Sequence, residues 1–305
     1  MDSLVIIHKR IDVQLSLKNK HLHLVIDHPG ENYCGSRFDW TGKIVDLKFQ
    51  NIPILTREKP AAENEHLFGR GLYNEFGIDS ALGFEETEMG GWFHKIGIGL
   101  LKKVSRSYDF NKTYEIKPAL FSVLHEKDKL IICCTSESLK GYAYRLKKEI
   151  ELFDSSFSIK YTLENTGEKN ITCNEYNHNF IGINEDSIGK NMVLKFPFQM
   201  NSEGFEEVVN PGNKVKINTS ELKFKETPKE PFFFSKLSGN KVVDAQWELH
   251  DLNSKIGIRE TGNFQTQSIN VWGSKHVISP ELFIELQIPP GHSKKWSRTY
   301  EVFTL

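Results

Sequence analysis

The chain has 305 residues, and its 39 Lys and Arg nearly cancel its 40 Asp and Glu, for a formal net charge of −1 at pH 7. Neither sign forms a long block, so the electrostatic footprint needed to grip a phosphate backbone is missing, and no nucleic-acid partner is expected. Residues 1–27 hold scattered charges and no apolar run long enough for a signal-peptide core or a membrane span, so the expectation is a soluble, cytoplasmic protein with no membrane partner. Residues 21–27 and 43–49 alternate apolar and polar side chains, the period-2 pattern of half-buried strands, and residues 157–163 repeat it. Residues 192–198, 214–218, 242–249, 255–259, 268–272, 282–288 and 296–303 are each short, rich in β-branched or aromatic residues, and bounded by Gly, Pro, Asn or Ser. No long, clean 3.6-period segment interrupts them.

Asn165-Thr166-Gly167, Asn210-Pro211-Gly212-Asn213 and Ser238-Gly239-Asn240 supply the left-handed conformers that turns demand, and they punctuate strands rather than domains. About 300 residues would hold two average domains, yet all-β sandwiches reach ~250 as one unit. With no Pro-, Ser- or Gly-rich linker and no fixed-period repeat, residues 1–305 read as a single all-β domain, a large antiparallel sandwich. Cys34, Cys133, Cys134 and Cys173 lack the paired spacing of a zinc site and read as reduced core thiols.

Two stretches depart from plain strand composition. Asn174-Glu175-Tyr176-Asn177-His178-Asn179-Phe180 sets an imidazole among hydrogen-bonding side chains, and Phe283-Ile284-Glu285-Leu286-Gln287 puts a carboxylate in an apolar strand. A His and a Glu on rigid strands, brought together by folding, are the minimum equipment for general acid and base catalysis on one substrate. A middle block, residues 68–79 and 90–99, packs glycines, aromatics and charges densely, as a backbone approaching a ligand does. Gly97-Ile98-Gly99 is not followed by a helix-opening glycine, so a nucleotide cradle is not indicated.

Asn177-His178-Asn179-Phe180 resembles the His-bearing motif of the galactose mutarotase-like (aldose 1-epimerase) family, and residues 283–287, followed by Pro289-Pro290-Gly291-His292, are similar to that family's glutamate segment. Gly35-Ser36-Arg37-Phe38-Asp39-Trp40-Thr41-Gly42 resembles its N-terminal arginine segment, so the resemblance runs from about residue 30 to the end. It implies a β-supersandwich that interconverts the α and β anomers of an aldose without metal or other cofactor. Glu285 would be the general base and His178 the general acid, with Asn177 or Asn179 orienting the imidazole. Arg37, Glu75, His94, Lys95 and Asn177 are the residues expected to bind substrate. His94 stands as candidate for the family's second histidine, ahead of His66, although the usual His-Gly-Gly wording is absent.

Plainer roles stand beside these. His178 as a hydrogen-bonded strand histidine, Glu285 turned to solvent, Arg37 paired to Asp39 and Trp272 filling the core are each ordinary outcomes for such residues. A small-molecule carbohydrate is the expected partner, and a homodimer stays open. The rivals to an aldose epimerase are a hexose-phosphate 1-epimerase, for which Arg37, Arg70 and Lys95 supply cations, and a non-catalytic carbohydrate-binding or sensing protein on the same fold.

Overall fold

The computed structural model describes residues 14–60 and 64–305, so the N-terminal part of the stretch read for a leader lies outside the described residues. The chain forms β1 (Leu15–Lys18), β2 (Leu22–Ile26), β3 (Ile44–Phe49), β4 (Ile52–Pro53), β5 (Leu72–Phe76), β6 (Trp92–Lys95), β7 (Gly99–Lys102), β8 (Ile116–Pro118), β9 (Leu120–His125), β10 (Lys129–Thr135), β11 (Tyr144–Leu152) and β12 (Ser156–Asn165). It continues with β13 (Ile171–Asn179), β14 (Met192–Lys195), β15 (Val208–Val209), β16 (Val215–Ile217), β17 (Glu221–Phe224), β18 (Phe232–Phe234), β19 (Val243–Asp251), β20 (Ile256–Thr266), β21 (Ile269–Ser274), β22 (Val277–Ile288) and β23 (Ser293–Thr304). The described helical elements are single 3-10 turns.

Two ten-stranded antiparallel sheets form the sandwich. The first runs β1-β2-β3-β5-β13-β22-β21-β18-β15, with β4 beside β3; the second runs β16-β17-β14-β19-β20-β23-β12-β11-β10-β9; a small sheet β6-β7-β8 lies apart. Each period-2 stretch read from sequence falls on a strand. One is longer than expected: the strand read over 282–288 begins at Val277 and runs through Pro280, a residue that ordinarily argues against a strand interior.

Alternation divides the first sheet into two working faces. One face, with Leu24, Ile44, Leu47, Leu72, Phe76, Leu282 and Leu286, meets the second sheet in the main core. The other, with Val25, Val45, Tyr73 and Phe180, lies under a second, aromatic-rich cluster that includes Tyr33, Phe38 and Trp40 from the 33–40 loop, Phe93 of β6 and Leu101 of β7. Covering on both faces explains why the central strand β5 is buried at all five positions.

The cysteines only partly match the reading as core thiols. All four are free, but Cys34 is exposed and Cys133 and Cys173 are half-buried, leaving Cys134 as the one sealed thiol. Cys34 lies in the 33–40 loop, outside any strand, so no pleat turns it inward.

Candidate active site

The covered face of the first sheet carries the chemistry. Strands β5, β13, β22 and β21 are neighbours, and register places Tyr73 opposite His178, Glu75 opposite Tyr176, and Ser279 opposite Trp272. Residues directly opposite in an antiparallel pair share a face, so these six side chains converge.

His178 is the hub. Its Nε2 lies 3.2 Å from Glu281 Oε1, and its Nδ1 lies 2.8 Å from Ser279 Oγ. Its ring stacks on Phe180 at 4.2 Å between centroids and meets the edges of Phe38 and Trp272 at 5.9 and 5.6 Å. Burial pushes the imidazole well below its usual range, and the Arg37 charge adds to that. Burial also raises the Glu281 carboxyl to about 8, against the opposing pull of Arg37 and Ser279. His178 and Glu281 keep 6% and 4% of their surface, so the pair sits almost wholly out of water without being sealed.

Glu285, the expected base, is not brought to the imidazole. It lies opposite Asn174 on β13, exposed, with Asp79 as its charged neighbour. Glu281 and Glu285 share a face of β22, but four residues at ~3.3 Å per residue separate their backbones by about 13 Å, more than a sugar ring spans. The carboxylate that meets His178 is therefore Glu281, which lies one residue ahead of the 282–288 strand read from sequence.

Arg37 arrives from the loop ahead of β3. Its guanidinium lies between the rings of Phe38 and Phe110, 4.6 and 4.4 Å from their centroids, while Nε donates to Glu75 Oε2 at 2.8 Å and an Nη donates to Tyr176 OH at 3.1 Å. The partner of Arg37 is thus Glu75, while Asp39 pairs with Lys148. Glu75 also accepts from Tyr176 OH at 2.7 Å and from Lys95 Nζ at 3.3 Å, and Lys95 donates to Tyr108 OH at 2.7 Å. Burial alone would raise Glu75 and lower Lys95; their partners outweigh it, so Glu75 is held below its usual range and Lys95 above. Both are fully covered: Glu75 holds Arg37 in place, and Lys95 holds Glu75.

Two expected binding residues point elsewhere, for one reason. In a strand, neighbours in sequence face opposite ways. Lys95 faces Glu75, so His94 faces the rings of Tyr142 and Tyr144, where burial pushes it down to about 4. His178 faces the site, so Asn177 and Asn179 face the interior: Asn177 donates to Tyr300 OH at 2.5 Å, and Asn179 donates to Glu260 Oε2 at 2.9 Å. These belong to a buried polar web in which Arg298 joins Glu175 at 2.8 Å and Glu260 at 2.7 Å, and Asn74, Glu175 and Lys148 extend it behind the site. Strand β13 is thereby clamped from its rear face.

His66 and Arg70 line a separate cavity of about 360 Å³ with Asp27, Arg57, Lys59 and Tyr73. Tyr73 is the wall it shares with the His178 site. Trp272, expected in the core, is half-buried against the imidazole. Tyr176 and Ser279 were missed as ordinary strand residues; Tyr108 and Phe110 were missed because loop residues carry no periodic signal. Among the described residues no group of three or more His, Cys, Asp or Glu is placed to hold a metal ion, and no helix is long and apolar enough to cross a membrane.

No protein-family model matches the chain, and no curated protein sequence does. Solved structures do match. The chain is similar to the Slr1438 protein of Synechocystis sp. PCC 6803, at 12% identity and a TM-score of 0.62 over 96% of both chains. It is similar to a galactose mutarotase-like protein of Clostridium acetobutylicum, at 13% and 0.58 over 95% of both, and to a galactose 1-epimerase of Lactobacillus acidophilus, at 12% and 0.52 over 95% of this chain and 93% of that one. At these identities the shared property is the fold: the chain is a galactose mutarotase-like β-sandwich, as the resemblance in its sequence implied.

Proposed function

We propose that the chain is an aldose 1-epimerase-like isomerase in which Glu281 is the general base and His178 the general acid. One observation carries this reading: a nearly water-free imidazole and carboxylate 3.2 Å apart, on adjacent strands of a sugar-epimerase fold, with an arginine fixed above them. Glu281 takes the proton from the anomeric hydroxyl as the C1–O5 bond breaks, and O5 takes a proton from His178. The C1–C2 bond rotates, and reclosure from the other face gives the other anomer. In that reclosure O5 returns its proton to His178 and Glu281 gives its proton to the anomeric oxygen, so the pair ends as it began. Arg37, with one edge committed to Glu75 and Tyr176, supports binding of sugar hydroxyls, and Trp272 offers a partly open indole for a sugar face.

The cavity beside Tyr73 favours a second reading, a sugar carrying an anionic group. It gathers Arg57, Lys59, Arg70 and His66 around one carboxylate, Asp27, one strand over from His178.

Polarimetry or NMR exchange on freshly dissolved aldoses, neutral and phosphorylated, tests both. Glu281→Gln should lower the rate by on the order of 10² to 10⁴, whereas Glu285→Gln should leave it essentially unchanged. Loss of turnover in Glu285→Gln with Glu281→Gln intact would reverse the assignment. A wild-type protein that binds sugars and accelerates none of them would favour a carbohydrate-binding or sensing role.

A further inference from the structure

Ser279 touches both members of the pair. Its Oγ lies 2.8 Å from His178 Nδ1 and 3.2 Å from Glu281 Oε1, and it accepts the backbone N–H of Asn179 at 3.0 Å. The last contact has a covalent cause. Backbone pairing between β13 and β22 extends only to Tyr176 and Phe283, and Pro280 just beyond offers no N–H. Ser279 Oγ and the Pro280 carbonyl take over, receiving the backbone and side-chain N–H groups of Asn179. The serine oxygen is thus fixed, and its single hydrogen has two places to go.

Each place belongs to one charge state. When Glu281 carries its proton, that proton bonds to Nε2; Nδ1–H then donates to Ser279 Oγ, and the hydroxyl turns to Glu281 Oε1. When Glu281 is ionised, a bare Nε2 would face a carboxylate oxygen, two acceptors without a hydrogen between them. The arrangement that satisfies every group has Nε2–H donating to Glu281, Nδ1 unprotonated, and the Ser279 hydroxyl turned to Nδ1. The charged groups that face the pair, Arg37 from the 33–40 loop and Glu75 from β5, supply no alternative partner for Nδ1.

We propose that Ser279 is a positioning residue: its hydroxyl follows the ionisation of Glu281 and holds the imidazole proton on Nε2 whenever Glu281 is ionised. That is the state in which the base is free and Nε2 carries the proton the acid gives up, so the inference rests on the reading of Glu281 and His178 above. Without the hydroxyl, ionising Glu281 leaves Nδ1 a buried acceptor with no donor. Ser279→Ala should therefore move the ascending limb of the kcat/KM pH profile upward by about one unit and lower kcat. Ser279→Thr, which keeps the hydroxyl, should restore both.

Nitrogen-15 ring shifts of His178 in substrate-free protein, assigned through the peak lost in His178→Asn, separate the two levels of the argument. Above pH 8.5, wild type should show the proton on Nε2, and Ser279→Ala should shift population toward Nδ1–H. A wild-type ring carrying its proton on Nδ1, or a tautomer unchanged in Ser279→Ala, overturns the proposal. A wild type with the expected tautomer and no turnover of any sugar leaves Ser279 in its role and sinks the epimerase instead.

Discussion

Burial raises the Glu281 carboxyl to about 8, so between its usual 4.5 and 8 the folded chain holds a proton that the unfolded chain has released. Where the native state binds more protons, stability falls as pH rises, and Glu281 therefore destabilises the fold progressively across that window. His178 acts in the opposite sense: its folded pKa lies well below 6.5, so its contribution rises with pH and is complete by 6.5. Above 6.5 only the Glu281 slope of this pair remains. Glu281→Gln keeps the shape and hydrogen bonding without the titration, so its melting temperature should gain on wild type steadily from pH 6.5 to 8 while its activity is lost. Paired thermal scans at half-unit steps measure this. Parallel curves for the two proteins would mean that Glu281 is ionised throughout, with no raised carboxyl to account for. If Glu281 is the base of the proposed epimerase, the same titration should make turnover climb with pH toward 8.

At the scale of the element, β13 shows what alternation does and does not reveal. Its period-2 pattern was legible, and with His178 placed on the site face, Asn177 and Asn179 were bound to face the interior; assigning His178 and Asn177 to one ligand conflicts with strand geometry, as does pairing His94 with Lys95. Which face held the site was not legible, since both faces of the first sheet are covered and both carry polar groups. Nor was the choice between Glu281 and Glu285, because register between β13 and β22 depends on how the 97 residues between them fold, and a proline inside β22 argues against reading its first half as strand. The rear face of β13 carries its own prediction. Arg298 is fully buried between Glu175 and Glu260, so Arg298→Met leaves two carboxylates without their cation and should cost about 3–5 kcal/mol. Urea denaturation followed by Trp fluorescence measures it, Trp296 and Trp247 being in the same web. A loss under ~1 kcal/mol would show that the web carries little of the sandwich's cohesion. His178→Asn, one pleat away on the other face, should cost activity instead.

The molecule as a whole has little charge to keep copies apart and an unguarded place for them to meet. A net charge of −1 at pH 7 provides almost no mutual repulsion near neutrality. Each ten-stranded sheet ends in edge strands, and these are not equally protected. At β9 the burial pattern is open on both faces, with Leu120 77% and Leu124 54% exposed and no charged side chain before His125. Its inner edge pairs with β10, and among the described residues no strand pairs with its outer edge, which sets backbone groups beside apolar side chains, the combination that templates strand addition. Leu124→Lys puts a charge in the middle of that edge without touching the core or the site. Light scattering during refolding or mild heating should therefore peak near pH 7 for wild type, fall as pH moves a unit or two to either side, and be several-fold lower at pH 7 for Leu124→Lys. Equal scattering by the two proteins would move the liability to another edge, and scattering indifferent to pH would remove net charge from the explanation.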